Sequence, residues 1–374
     1  MRLPIMQYEM PKRGKRPVGA VTLWVAAALL MAAVAGAPLA ADGQLAPSPG
    51  EAPTSNAPAP ADEAEAAPAI RVDVNLVNLY FTVKAKDGTL VPHLAAGNCA
   101  VEEDKVAQKL KNFQAENQQP LTLGILLDTS ASQQRVLPLE QQFGAAFLKD
   151  VLKAKDQAFL VSFDVDVDLL EDYTGSARQL EKALNKAEIN TGGGNGAGGT
   201  PGLGRGPVPT QGQVKGTLFY DAVALASNDK LSRETGRKAI IVLTDGQDQG
   251  SQTKIQGAIE AAQKANVIVY GILLADRSAY EDMSFGYSGN SALKRIAEET
   301  GGRMIDVGNN GKKLEVAFQQ IEAELRTQYV AAYTPANGKA DGSYRKLAVS
   351  CRADSGEALK VQVRKGYYAV APEE

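Results

Sequence analysis

The sequence predicts an α/β protein: a doubly wound, mostly parallel sheet with helices on both faces, plus a small all-β satellite module built from the two flanks. Three observations lead there. From about residue 119 to 335, apolar runs of strand length alternate with segments of helical spacing. Two of those runs, LTLGILLD ending at Asp128 and KAIIVLTDG containing Asp245, finish in an acid, as strands do where they open onto a ligand face. The stretches on either side, 70–118 and 336–374, lack helical spacing and carry β pattern instead.

At the amino terminus, Lys12, Arg13, Lys15 and Arg16 precede an uncharged stretch, Pro17 to Ala41, rich in Ala, Val and Leu. Residues 1–41 read as an export segment, either a signal peptide or a membrane anchor. The apolar stretch also meets the roughly 20 residues needed to span a bilayer, so cleavage and anchoring in the inner membrane both stay open. The basic lead keeps the amino terminus cytoplasmic and places the rest of the chain in the periplasm or outside the cell. No Cys stands close behind the segment, which argues against lipoprotein processing. Residues 42–69 are Ala, Pro, Glu and Ser with almost no large apolar side chain, the composition of a disordered tether.

Val72 to Lys84 alternates apolar and polar residues as a half-buried strand does, and residues 99–113 read as a hairpin folded around Glu103 and Asp104. Within 119–335 the spacing predicts a helix over 136–152 and a strand over 158–163. An edge strand over 165–174 and a helix over 177–188 come next. Beyond a glycine-rich loop come a helix after Thr217, the strand to Asp245 and a helix over 253–265. A strand over 267–274, a helix over 292–300, a strand over 303–307 and a helix over 314–327 complete the alternation. The C-terminal 336–374 reads as a hairpin over 344–370 with ADSGEA at its turn, expected to pack beside the first β unit.

Composition narrows the function. The net charge of -3 and pI near 5.6, with no cluster of basic residues on one face, argue against a nucleic-acid partner. Cys99 and Cys351 are the two cysteines; as an exported pair they would clamp the flanks, and as buried apolar side chains they would not, and the sequence leaves both readings open.

The chemistry concentrates in DTSAS. Asp128, Ser130 and Ser132 put one carboxylate and two hydroxyls on a turn just past a buried strand. Thr217 stands at the mouth of a predicted helix, and Asp245 closes the second strand-then-acid unit. Hard oxygen donors of this kind suit Mg²⁺ or Mn²⁺. Either fragment alone is an ordinary turn, since Asp, Ser and Gly are common there. Together, in this order, the five residues resemble the metal-ion-dependent adhesion site of von Willebrand factor type A domains, and the flanking β segments resemble those of exported bacterial proteins related to that family. The resemblance implies a Rossmann-like sheet and a non-enzymatic, metal-dependent adhesion module. Its divalent cation would be held by Asp128, Ser130, Ser132, Thr217 and Asp245 and would accept a Glu or Asp carboxylate from a partner protein. Where the resembled proteins have a large aromatic residue, this chain has Cys99. The alternatives are a hydrolase using the same metal on phosphoesters, and a structural envelope protein with a vestigial site.

Other signals fit less well. The glycine-rich TGGGNGAGGTPGLGRG (191–206) comes after a helix and lacks GK[ST], so it reads as a flexible insertion and not a phosphate loop. Asp164, Asp166 and Asp168 have calcium-loop spacing without the turn glycine or distal Glu, and read as an edge strand. His93, the sole histidine, lies in the β unit, away from any acid or thiol pattern. Asp221 reads either as outer support for the site or as a first-turn acid favoured by the helix dipole. Tyr280, Phe285 and Tyr287, in a loop on the ligand side, read as partner anchors or as local packing.

Overall fold

The computed structural model describes residues 76–116, 119–190, 216–275 and 289–370. The export segment, the tether, the glycine-rich 191–206 insertion and the aromatic loop with Tyr280, Phe285 and Tyr287 lie outside them. All described residues fall in one compact unit, Ile70–Glu374.

Two sheets organise that unit. The first is six-stranded, built from β5 (Leu121–Asp128), β6 (Gln157–Phe163), β7 (Val167–Thr174), β8 (Arg237–Thr244), β9 (Ile268–Leu273) and β10 (Met304–Asp306) in the order β10-β9-β8-β5-β6-β7. Every pairing is parallel except β6 with β7. The central strands are buried along their whole length, and alternate residues supply two separate cores. Leu123, Ile125 and Leu127 of β5, with Ile241 and Leu243 of β8, pack under α1 (Leu137–Val151), α2 (Ala177–Leu184) and α6 (Gly311–Arg326). Leu126, Ile240 and Val242 point the other way, under α3 (Phe219–Leu225), α4 (Ile255–Lys264) and α5 (Gly289–Thr300). The two-residue period of a strand, apolar on both phases, forces helices onto both faces.

The order reverses between β5 and β8: from β5 the chain builds outward through β6 and β7, then crosses back to lay β8, β9 and β10 on the other side. That reversal opens a crevice at the carboxyl ends of β5 and β8, the place where open α/β sheets bind ligands.

The second sheet corrects two expectations. The flanks do not form a small satellite. β1 (Val77–Lys84), β2 (Cys99–Glu103), β3 (Val106–Gln108), β4 (Leu110–Glu116), β11 (Gln328–Tyr333), β12 (Tyr344–Arg352), β13 (Ala358–Gln362) and β14 (Gly366–Tyr368) make an eight-stranded sheet, larger in strand count than the first. And β11, expected within the 119–335 domain, hydrogen-bonds between β1 and β4 in this second sheet. Its buried Tyr329, Ala331 and Tyr333 join Phe81 and Leu79 in a third core, so apolar burial on the flank side takes the strand there.

Buried polar groups lock the second sheet to the helical layer. Glu324 of α6, 2% exposed, receives Lys84 of β1 at 2.8 Å and Arg303 at 2.6 Å, and Gln362 of β13 donates to its other oxygen at 3.1 Å. The buried Arg237 guanidinium donates to the carbonyls of Leu325 at 2.6 Å and Gln119 at 2.9 Å, satisfying a helix end that would otherwise be orphaned. Around β2 and β3, Asp104 and Lys105 take positive φ values of 48° and 69°, the twist a two-residue hairpin turn needs.

Cys99 and Cys351 stand directly opposite each other on antiparallel β2 and β12 and are disulfide-bonded, closing a separation of 252 residues. A cross-link spanning almost the whole compact unit restricts the unfolded chain. Replacing both cysteines by Ser is expected to lower the unfolding free energy by about 2–4 kcal/mol. Urea denaturation checks it, and an unchanged midpoint would remove the cross-link from the account of stability.

Candidate metal centre

β5 and β8 are adjacent and parallel, with Leu127 in register with Leu243, so Asp128 and Asp245 leave the sheet side by side at the reversal point. Both are buried. The Thr244 hydroxyl donates to Asp128 Oδ2 at 2.5 Å and accepts the Gly246 N–H at 2.9 Å, tying one strand's exit to the other's. The second oxygen of Asp128 accepts the Ser130 N–H at 3.0 Å, and Asp245 accepts the Gln247 N–H at 2.9 Å. These are short acid-to-backbone turns, which fix where each carboxylate points.

The two serines meet: Ser130 Oγ lies 2.9 Å from Ser132 Oγ, in a partly buried contact. Burial, and then the nearby charge of Asp245, push the Asp128 carboxyl up to about 7, against the bonds from Ser130 and Thr244. Two acids buried in one crevice oppose each other's ionisation. The donor set, two hydroxyls in contact beside two buried carboxylates, suits a hard divalent cation.

Thr217 reaches the same end of the sheet through its backbone. Its carbonyl accepts the Gln249 N–H at 3.0 Å from the loop just past Asp245. The next residue, Leu218, donates to the Asp164 carbonyl at 2.8 Å. Asp164 falls outside the five expected site residues, yet it laces their loops together. One carboxylate oxygen accepts the Thr129 hydroxyl at 2.7 Å and the other accepts Asn190 Nδ2 at 3.0 Å. A sequence signal for it exists, since AFLVSF ends in an acid as LTLGILLD does. Among the described residues no three His, Cys, Asp or Glu side chains converge as a metal cluster, and Asp168 pairs with Ser162 as part of β7. His93 is exposed, in the β1–β2 connection. Asp221 stands in the first turn of α3, the place the helix-dipole reading expects, and its carboxylate also accepts the Gln252 and Thr253 N–H groups at 2.9 and 2.8 Å, stapling α3 to the loop before α4.

Gly246 takes φ +78°, and a Cβ there would meet the Gly289 carbonyl oxygen at 2.3 Å. The start of α5 therefore sits directly against the loop that carries Asp245, an approach any side chain would break.

Residues 213–320 match the von Willebrand factor type A domain. That span contains Thr217 and Asp245; Asp128, Ser130 and Ser132 lie before it. No curated protein matches the chain. Among solved structures, BatB from Bacteroides thetaiotaomicron is 19% identical over 55% of this chain and 99% of its own, with a TM-score of 0.37. The vWF domain of the type V pili tip protein Mfa5 from Porphyromonas gingivalis is 12% identical over 55% of this chain and 95% of its own, with a TM-score of 0.39. Proximal thread matrix protein 1 from the mussel byssus, with a zinc-occupied MIDAS motif, is 18% identical over 60% of this chain and 50% of its own, with a TM-score of 0.42.

Behind the crevice between β5 and β8, α1 carries Glu140, fully buried, with neither carboxylate oxygen hydrogen-bonded. It faces the apolar side chains of Ile125, Leu127, Phe147 and Phe318. Burial, then the charge of Asp128, hold its carboxyl well above the ordinary range. A raised acid keeps its proton in the folded chain after the unfolded chain has lost it. Stability is therefore intact below about pH 4 and falls as pH rises toward the folded pKa. Glu140→Gln is expected to match the parent at pH 4 and to be more stable at pH 8 by at least about 1 kcal/mol; denaturant titrations at both pH values check this. Gly246→Ala, through the clash with Gly289, is expected to cost about 1–3 kcal/mol, read from the thermal midpoint.

Proposed function

We propose that this chain is an exported, non-enzymatic binding module that holds a divalent cation, Mg²⁺ or Mn²⁺, through Asp128, Ser130, Ser132, Thr217 and Asp245. The observation that carries the reading is the contact of the Ser130 and Ser132 hydroxyls beside two buried acids that share one crevice. A bound divalent cation would supply positive charge that a partner's carboxylate can ligate.

The chain's own residues do the preparation. Thr244 and the Ser130 N–H hold both oxygens of Asp128 in hydrogen bonds, and the neutral hydroxyls of Ser130 and Ser132 stand in contact beside it. Donors without charge neutralise little of a cation, so an acidic side chain from a protein partner is favoured over further water. Asp164 and Gln249 link the serine and threonine loops through hydrogen bonds to Thr129, Thr217 and Leu218.

Export is supported by the disulfide, which persists in oxidising compartments and is rare in the cytosol, and by the basic-then-apolar opening of residues 1–41. On this reading residues 42–69 are a tether that spaces the compact unit from the membrane or from its cleavage site. Among the described residues no helix is long and apolar enough to cross a membrane.

Calorimetry of the full chain with Mg²⁺ and Mn²⁺ tests the metal. Saturable binding is expected, with a thermal midpoint that rises with metal concentration as linkage requires, the unfolding free energy gaining about 2.7 kcal/mol at a hundred times Kd. Asp128→Ala should abolish both effects. Equal heats in the variant would sink the site. For the partner, metal-dependent capture from an envelope extract should vanish on joint Ser130→Ala and Ser132→Ala substitution.

A further inference from the structure

One cavity with a basic lining shares no residue with the metal centre. It lies where β14 and the 335–340 loop meet the end of α4, encloses about 230 Å³, and is lined by Lys264, Lys339, Arg345 and Arg364 without any acid. Two of these cations are already paired. Arg345 meets Glu103 at 3.1 Å, both 2% exposed, and Lys264 meets Glu260 at 2.8 Å on the surface.

Arg364 is different. Its guanidinium donates to Asn266 Oδ1 at 2.9 Å and to the Asn78 carbonyl at 3.2 Å, and lies 5.4 Å from the Tyr367 ring centroid. None of these partners carries charge, and among the described residues neither Arg364 nor Lys339 has an acid within ion-pair distance. The Nε–H of Arg364 and that of the deeply buried Arg345 both lack an acceptor. Buried donors without acceptors are uncommon and point to a missing partner. The rim adds exposed apolar surface, Leu76 at 46% and Val370 at 49%.

We propose that this cavity binds a carboxylate carried on an apolar carbon skeleton. Two oxygens of a planar carboxylate can take arginine N–H donors in the forked geometry that guanidinium offers, Lys339 supplies a further charge at the mouth, and the carbon chain rests on Leu76 and Val370. The volume fits a small acid or one acidic side chain of a peptide. The chain's net charge of -3 gives no broad field that would gather a polyanion. The proposal is independent of the metal reading.

The test uses the full chain in EDTA, so that the metal centre contributes nothing, and titrates three probes by calorimetry: hexanoate, an acetylated and amidated diglutamate peptide, and hexanol. Saturable binding of hexanoate or of the peptide is expected, and whichever binds more tightly identifies a free acid or a peptide as the source. Affinity should fall about tenfold in Arg364→Gln, fall also in the exposed-loop variant Lys339→Gln, and stay unchanged in Asp128→Ala. Hexanol binding as tightly as hexanoate overturns the proposal. So do binding that both Gln variants leave intact, inorganic phosphate that outcompetes both acids, and the absence of saturation by either acid.

Discussion

The hydrogen bond from Thr244 to Asp128 joins the exits of two neighbouring parallel strands, and the candidate centre is arranged around it. Where the sheet reverses its order, β5 and β8 release their chains into the same crevice, and an acid on each would scatter two repelling charges unless something oriented them. Thr244 orients both: it donates to Asp128 and accepts from the backbone just past Asp245. The hydroxyls of Ser130 and Ser132 meet beside it, and both oxygens of Asp128 are engaged in hydrogen bonds. Burial first, and then the charge of Asp245, raise the Asp128 carboxyl.

A second constraint keeps this crevice in register with the rest of the chain. α6 ends against the flanking sheet through Glu324, whose buried carboxylate gathers Lys84, Arg303 and Gln362 from three different segments. A buried acid tolerates that position because its charge is matched and its lone pairs are used. The same logic recurs at Glu103, which accepts the hydroxyls of Tyr333 and Tyr367 at 2.7 and 2.8 Å as well as Arg345. Glu324 on α6 ties the second sheet to the helical layer of the first, while Glu103 gathers strands within the second sheet itself. The contrast with Arg364, whose partners are neutral, is what marks the cavity beside β14 as unfinished.

Much of the α/β half is legible in the sequence because its strands are apolar on both phases and its helices on one. Spacing predicts α1 over 136–152 and it occupies Leu137–Val151; spacing predicts α4 over 253–265 and it occupies Ile255–Lys264. Local pattern reads QYVAAY as a strand but, apolar throughout, it does not choose between the sheets; pairing with β1 and β4, distant in sequence, decides it. Asp164 carries a strand-then-acid signal, but its role is not legible locally. Its neighbours alternate as an edge strand does, while its role comes from contacts with Thr129 and Asn190, 35 and 26 residues away, and with Leu218, farther still.

The order of residues alone determined the α/β alternation of the first sheet, the two acids at strand ends and the clustered hydroxyls of DTSAS, since each depends on periodicity or on neighbours within a few positions. Tertiary structure alone decided that Cys99 faces Cys351, that Gly246 lies against Gly289, that Glu140 is sealed without a partner, and that four cations from distant segments line one cavity. Those facts arise from strand register and layer packing, which bring together residues too far apart along the chain for sequence spacing to relate them.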